Sequence, residues 1–148
     1  MKNPLKTETS AGLGLLAARV PMGMFFLIAG YGKFTGSGGV SGFVSQSRSG
    51  IPGWISPQLG HYYLGAVPYL EVIVGAFLVL GLLTRLVGLI GALMITSFII
   101  GATGIRGNGL PFSPNLIYLG LLLLVFLVGP GKLSVDALLF GGRRRGAA

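Results

Sequence analysis

The sequence predicts an all-α fold, an integral membrane four-helix bundle in which residues 1–148 form a single domain. Hydrophobic residues make up 52% of the chain and charged residues only 9%, whereas a typical soluble domain has about 25% charged residues. The mean hydropathy is +0.82. Because a span takes roughly 20 residues, the chain can hold four spans, short connections and one longer loop. It contains no cysteine, which excludes thiol–disulfide chemistry and thiolate metal ligation.

Four apolar segments carry the predicted spans. They cover about residues 12–30, 62–83, 86–102 and 114–128. Only Thr84 and Arg85 separate the second segment from the third, and this short joint predicts an antiparallel hairpin.

The longest connection, residues 31–61, is rich in Gly, Ser and Pro. A loop of this length is expected to lie across the outer membrane interface or to fold partly into the mouth of the bundle. Its aromatic residues and those that follow suit an interfacial belt, so an anchor is favoured over a lid; the belt residues are Tyr31, Trp54, Tyr62 and Tyr63.

A short amphipathic helix is predicted after the fourth span, over about residues 134–140. Ser134 is placed to cap its N-terminus. Asp136 falls in its first turn, where a carboxylate interacts favourably with the helix dipole. We expect this helix to lie on the inner membrane surface.

The net charge of +8 is interpreted as a topology signal and not as a nucleic-acid interface. Its strongest element, Arg143 to Arg145, follows an apolar segment where anionic lipid headgroups would lie. Four spans place both termini and the Arg85 turn on one side. The positive-inside rule then predicts cytoplasmic termini, because the loop cations of that side outnumber those of the other: Lys2, Lys6, Arg85, Lys132, Arg143, Arg144 and Arg145 against Lys33, Arg48 and Arg106.

Two ionisable residues interrupt the spans, Arg19 in the first and Glu71 in the second. A charge at the centre of a membrane helix costs about 2.5 to 3.5 kcal/mol on insertion scales, so each is expected to face protein or water and to have a partner. We predict that Arg19 pairs with Glu71. Two interpretations of the pair stay open: an inert contact that fixes helix register, and a functional site. No metal site is predicted, and the single histidine, His61, excludes a haem with two histidine ligands within the chain.

Four stretches of the sequence carry a further signal: "RVPMGMFFLIAGYGKF" (19–34), "SGIP" (49–52), "EVIVGAFLVLGLLTR" (71–85) and "GPGKLSVDALL" (129–139). In their order and spacing they resemble the DoxX family of small bacterial membrane proteins. The resemblance implies a four-helix bundle in the bacterial cytoplasmic membrane. The family's shared Arg, Lys, Glu and Asp positions match Arg19, Lys33, Glu71 and Asp136.

The resemblance also implies a link to redox chemistry. Some relatives form the small subunit of a thiosulfate:quinone oxidoreductase, another associates with a superoxide dismutase and a thiosulfate sulfurtransferase in resistance to oxidative and thiol stress, and many have no assigned activity. The first hypothesis is therefore a membrane redox subunit with an apolar cleft for a diffusible quinone and no covalently bound cofactor. Glu71 would relay a proton, and Arg19 would hold Glu71 ionised or polarise a quinone oxygen.

The alternative hypothesis is a non-catalytic membrane scaffold that recruits soluble redox enzymes through its basic inner face. The sequence contains no self-sufficient catalytic motif, so any enzymatic activity is expected to need another subunit. In both hypotheses the lipid bilayer is a partner and nucleic acid is not.

Overall fold

A computed structural model describes residues 4–101 and 114–140, and this part of the chain consists of helices and turns without a strand. The prediction of an all-α protein is confirmed. Six α-helices lie in the described ranges: α1 (Pro4–Thr35), α2 (Gly39–Ser47), α3 (Pro57–Leu80), α4 (Thr84–Ile100), α5 (Pro114–Val128) and α6 (Val135–Phe140). Predictions for the end of the third span and for Arg143 to Arg145 fall outside these ranges.

Two of the described helical stretches are long and apolar enough to cross a membrane. They are Gly12–Thr35 within α1 and Pro57–Leu80, which is α3, with 24 residues each. At a rise of 1.5 Å per residue such a stretch reaches about 36 Å, which exceeds the roughly 30 Å hydrocarbon core of a bilayer. The helices α4 and α5 are also apolar but shorter, with 17 and 15 residues.

The helices α1 and α3 pack against each other through glycines. A Cβ atom placed on Gly75 would lie 2.7 Å from the carbonyl oxygen of Gly23, and one placed on Gly30 would lie 3.0 Å from the Cβ of Glu71. Small residues at such contacts allow two membrane helices to approach closely. The contacts also fix the antiparallel register, because Gly23 faces Gly75 and Gly30 faces Glu71.

The other contacts bring α4 and α5 onto this pair. The helix α5 packs along α4 and also contacts α1, and α3 contacts α4. Fully buried Phe26, Leu78, Ile95 and Leu122 come one from each of these four helices. The core therefore lies where the four helices meet.

Residues 31–61, predicted as a long loop, are largely helical. The helix α1 continues to Thr35, α2 and a short 3₁₀ turn at Arg48–Gly50 follow, and α3 begins at Pro57. Ser56 caps α3 by accepting a hydrogen bond from Leu59 N at 3.3 Å. The side chain of Ile51 packs directly onto the backbone of Gly60, since a Cβ there would lie 2.6 Å from Ile51 Cδ1. The segment thus packs onto the end of the helices.

Candidate functional site

A buried ion pair joins the end of α1 to the middle of α3. Lys33 Nζ lies 2.7 Å from Glu71 Oε2 and 2.8 Å from Glu71 Oε1, and it also donates to Ala29 O at 3.3 Å. The ammonium lies 5.0 Å from the ring centroid of Phe43, which adds a cation–π contact. The Glu71 side chain is 2% exposed and the Lys33 side chain 20%. The carboxylate is therefore enclosed, while the ammonium reaches it from the edge of the site.

The predicted pairing of Arg19 with Glu71 is wrong. The glycine contacts place Gly30 opposite Glu71, so Lys33 lies within one helical turn of that level. Arg19 lies eleven residues before Gly30 in the sequence, which is about 16 Å along the helix axis. The prediction ended the first span at residue 30 and so left Lys33 outside it, but α1 continues to Thr35.

Arg19 instead binds backbone carbonyls near the other end of the helices. One terminal nitrogen donates to Pro130 O at 2.8 Å and the other to Leu133 O at 2.7 Å. The residue is 2% exposed. Its guanidinium also packs against Gly81, a residue with a φ of 70° whose position leaves no room for a Cβ beside the arginine. These contacts hold the turn after α5 against α1 and α3.

Asp136 caps the N-terminus of α4 from the neighbouring helix α6. Its two carboxylate oxygens accept hydrogen bonds from Leu83 N and Thr84 N, each at 2.8 Å, and its own N donates to Gly81 O at 3.0 Å. Leu83 has a φ of 47°, a left-handed conformation that costs roughly 1–2 kcal/mol in a non-glycine residue. The two hydrogen bonds that the Asp136 carboxylate accepts offset this cost. We refer to Arg19, Asp136 and the backbone they hold as the clasp.

The helix α6 is fixed within the same region by its own cap. Ser134 Oγ accepts a hydrogen bond from Ala137 N at 3.1 Å and donates one to Gly131 O at 2.9 Å. Ser134 therefore acts at the position where the sequence places an N-cap, and it holds Asp136 at the start of α6.

An apolar cavity of about 620 Å³ lies against the Lys33–Glu71 pair, at the end of the helices away from the clasp. Residues from α1 to α5 and from the connection 51–56 line it. Arg19 and Asp136 are not among them. The aromatic lining comprises Phe25, Phe43, Trp54, Tyr63 and Phe98, and the polar lining comprises Lys33, Ser47, Tyr63, Glu71, Ser97 and Asn115. The volume falls within the roughly 300–1,000 Å³ of typical small-molecule sites.

A pair of hydroxyl groups lies on the wall of the cavity between α3 and α4. The hydroxyls of Tyr63 and Ser97 are hydrogen-bonded to each other, and Ser97 Oγ donates to Met94 O at 2.6 Å. Tyr63, predicted for an interfacial aromatic belt, has its hydroxyl bonded to Ser97 of α4.

The four predicted polar positions therefore separate into two groups. Lys33 and Glu71 meet at the cavity, and Arg19 and Asp136 belong to the clasp. Sequence reasoning missed the hydroxyl pair, because a serine within an apolar helix gives no distinct signal. The aromatic residues scattered through residues 31–61 were the available sign that this segment covers a cavity.

The apolar helices and the enclosed ion pair are those of a small helical membrane protein. The DoxX family model matches residues 14–105, and the chain belongs to the DoxX family. It is 35% identical over 130 residues to the "Inner membrane protein YqjF" of Escherichia coli (strain K12), covering 86% of this chain and 92% of that protein. It is 32% identical over 138 residues to the "Putative oxidoreductase CatD" of Bacillus subtilis (strain 168), covering 90% of this chain and 92% of that protein. No solved structure matches the chain.

Proposed function

We propose that the cavity binds a quinone and that the protein is a quinone-interacting subunit of a redox complex. One observation carries this proposal: an ion pair able both to donate and to accept hydrogen bonds lies on an otherwise apolar, aromatic-rich cavity in a membrane protein. An apolar pocket with a few convergent polar groups is the usual form of a small-molecule site.

The chemistry of the ion pair suits both redox forms of such a ligand. Lys33 Nζ would donate a hydrogen bond to a quinone carbonyl oxygen in place of its long bond to Ala29 O, and Glu71 would accept one from a quinol hydroxyl. A carboxylate within hydrogen-bond reach of the reacting oxygen can also take or give the proton that accompanies each electron. Glu71 thus keeps its expected role as the proton relay, while Lys33 replaces Arg19 as its partner.

For the membrane arrangement we propose four spans, formed by α1, α3, α4 and α5, in the bacterial cytoplasmic membrane with cytoplasmic termini. Arg85 and Lys132 lie at the clasp end of the helices, and exposed Tyr31, Trp54 and Tyr62 lie at the cavity end. This distribution supports a cytoplasmic clasp and an outer aromatic belt. The name of the E. coli relative, an inner membrane protein, also supports an inner-membrane location. The cavity would then open in the outer half of the bilayer.

The electrons would come from another subunit, and the name of the B. subtilis relative supports an oxidoreductase role. The scaffold alternative depends on the basic inner face, whose strongest element, Arg143 to Arg145, lies outside the described residues, and it stays a prediction.

The single tryptophan of the chain provides the test, because Trp54 lies in the cavity wall. Quinones quench indole fluorescence at short range, so a decyl-substituted 1,4-benzoquinone added to the purified protein in micelles should quench Trp54 saturably. Ala29→Phe should abolish the saturable part, because Ala29 lines the cavity next to Lys33 and the added ring would block access of the ligand to the ion pair.

A matched control separates the cavity from the outer surface. Ile28 is 66% exposed and is not part of the lining, so Ile28→Phe adds the same ring outside and should leave quenching unchanged. Linear, unsaturable quenching that is equal in both variants and the original protein would contradict a quinone site.

A further inference from the structure

Counting donors shows which arrangement of protons keeps both hydrogen bonds of the Tyr63–Ser97 pair. A serine hydroxyl has one proton, and Ser97 donates it to Met94 O at 2.6 Å. Both hydrogen bonds therefore form together in one arrangement, in which Tyr63 donates to Ser97 Oγ. In that arrangement the Tyr63 oxygen can accept a further hydrogen bond but has no second proton to give.

We propose that Tyr63 is a specificity-determining residue that favours the hydroxyl-bearing, reduced form of the cavity's ligand over the carbonyl-bearing, oxidised form. The inference rests on the proposed quinone site, because it concerns a second polar contact in the same cavity. A quinol hydroxyl can donate to the Tyr63 oxygen. A quinone carbonyl would have to take the Tyr63 proton from Ser97 Oγ, since two acceptors would otherwise face each other.

Tyr63 can discriminate between the two redox forms of the ligand, whereas the ion pair cannot. Lys33 donates and Glu71 accepts, so together they serve either form. The hydroxyl pair, in contrast, can only accept a hydrogen bond from the ligand while it keeps both of its own bonds. A site that binds the reduced form more tightly makes its ligand easier to reduce, and for a two-electron couple a tenfold preference corresponds to about 30 mV. The preference therefore favours electron transfer into the bound quinone.

Calorimetric titration under argon tests the inference, with a 1,4-benzoquinone carrying one isoprenoid unit and with its hydroquinone as the two probes. The original protein should bind the hydroquinone more tightly. Tyr63→Phe should weaken hydroquinone binding by about three- to tenfold, the usual worth of one neutral hydrogen bond, and should leave quinone binding unchanged or tighter.

Ser97→Ala tests the donor count directly. Without the serine acceptor the Tyr63 proton is free to bond to a quinone carbonyl, so quinone binding should tighten and the preference should shift towards the oxidised form. This variant also decides the matter if Tyr63→Phe does not fold.

Two control variants match these changes. Tyr62 is 75% exposed and outside the lining, so Tyr62→Phe removes an equivalent hydroxyl elsewhere. Thr96 Oγ1 donates to Ala92 O at 2.8 Å, so Thr96→Ala removes the same kind of backbone contact beside the site. Neither should change the ratio of the two affinities.

The inference is overturned if Tyr63→Phe weakens both probes equally or neither, or if Ser97→Ala leaves the ratio unchanged. If the original protein binds neither probe, the proposed function fails and the inference fails with it. Binding of both probes without dependence on Tyr63 contradicts the inference alone.

Discussion

Removing Lys33 should strand Glu71 as an enclosed carboxylate without a partner. Glu71 is 2% exposed and receives both short bonds from Lys33 Nζ. Breaking a buried pair by removing one partner costs about 3 to 5 kcal/mol of the free energy of unfolding. We therefore expect Lys33→Met, which keeps the length of the side chain, to lose stability within this range.

Removing the charge of Glu71 should lower the free energy of unfolding by less than removing Lys33, because the two side chains differ in exposure. Lys33 is 20% exposed, and a lysine can extend its charged end along an apolar surface towards water. Glu71→Gln should cost about 1 to 3 kcal/mol, the cost of an unmade bond to a buried polar group. The double variant leaves no unpaired charge, so its loss should be smaller than the sum of the single losses by about 2 kcal/mol.

The Arg19 and Glu71 variants provide the internal comparison. Arg19→Met should be destabilising by itself, since it removes two bonds to backbone carbonyls. Combined with Glu71→Gln, however, its effect should be additive within about 0.5 kcal/mol, because the two side chains share no partner.

The free energy of unfolding of each variant can be measured by titrating sodium dodecyl sulfate into mixed micelles and following helix content by circular dichroism. Additivity of Lys33→Met and Glu71→Gln would refute the pairing on which the site is built. Strong coupling between Arg19→Met and Glu71→Gln would indicate that Arg19 and Glu71 are paired, which would contradict the structure.

Three further predictions concern packing, the clasp and topology. Gly75→Ala should cost about 1 to 3 kcal/mol through overpacking, since the new Cβ would meet the α1 backbone, whereas Gly120→Ala meets nothing within 4 Å and should be neutral in the same unfolding assay. Asp136→Ala should lower the free energy of unfolding by about 1.5 to 3 kcal/mol by removing a charged hydrogen-bond acceptor, while Leu138→Ala, at an 83% exposed position, should have little effect. In this cysteine-free chain, Gln46→Cys should react with an impermeant maleimide added to intact cells and Leu138→Cys should not; the opposite labelling would reverse the proposed orientation.

The helices could be predicted from the sequence because apolar composition and length determine them. The connection between α3 and α4 is so short that the two helices must form a hairpin. Ser134 and Asp136 occupy the N-cap and the first turn of α6, where the sequence preferences of helix ends predict these residue types. Register could not be predicted in the same way. It depends on the contacts of Gly23 and Gly30 with α3, which no local pattern reveals.

The error over Glu71 shows how the missing register affected the site. From the sequence Arg19 is the obvious partner because it lies within an apolar segment, whereas Lys33 falls in the segment predicted as the outer loop. The helix α1 continues past residue 30, because Lys33 pairs with the enclosed carboxylate of Glu71 and contacts Phe43. The true acceptors of Arg19 are backbone carbonyls, which every residue has and no sequence distinguishes.

A photoreactive quinone tests the central claim most directly, because it reports where the ligand lies. An azido-1,4-benzoquinone irradiated with the purified protein should label the cavity wall, and mass spectrometry should find the label on peptides containing Phe43 or Trp54. The labelling should be lost in Ala29→Phe and kept in Ile28→Phe. Label found instead on the outward-facing residues of α1 and α3, and unaffected by Ala29→Phe, would contradict a quinone site in this cavity.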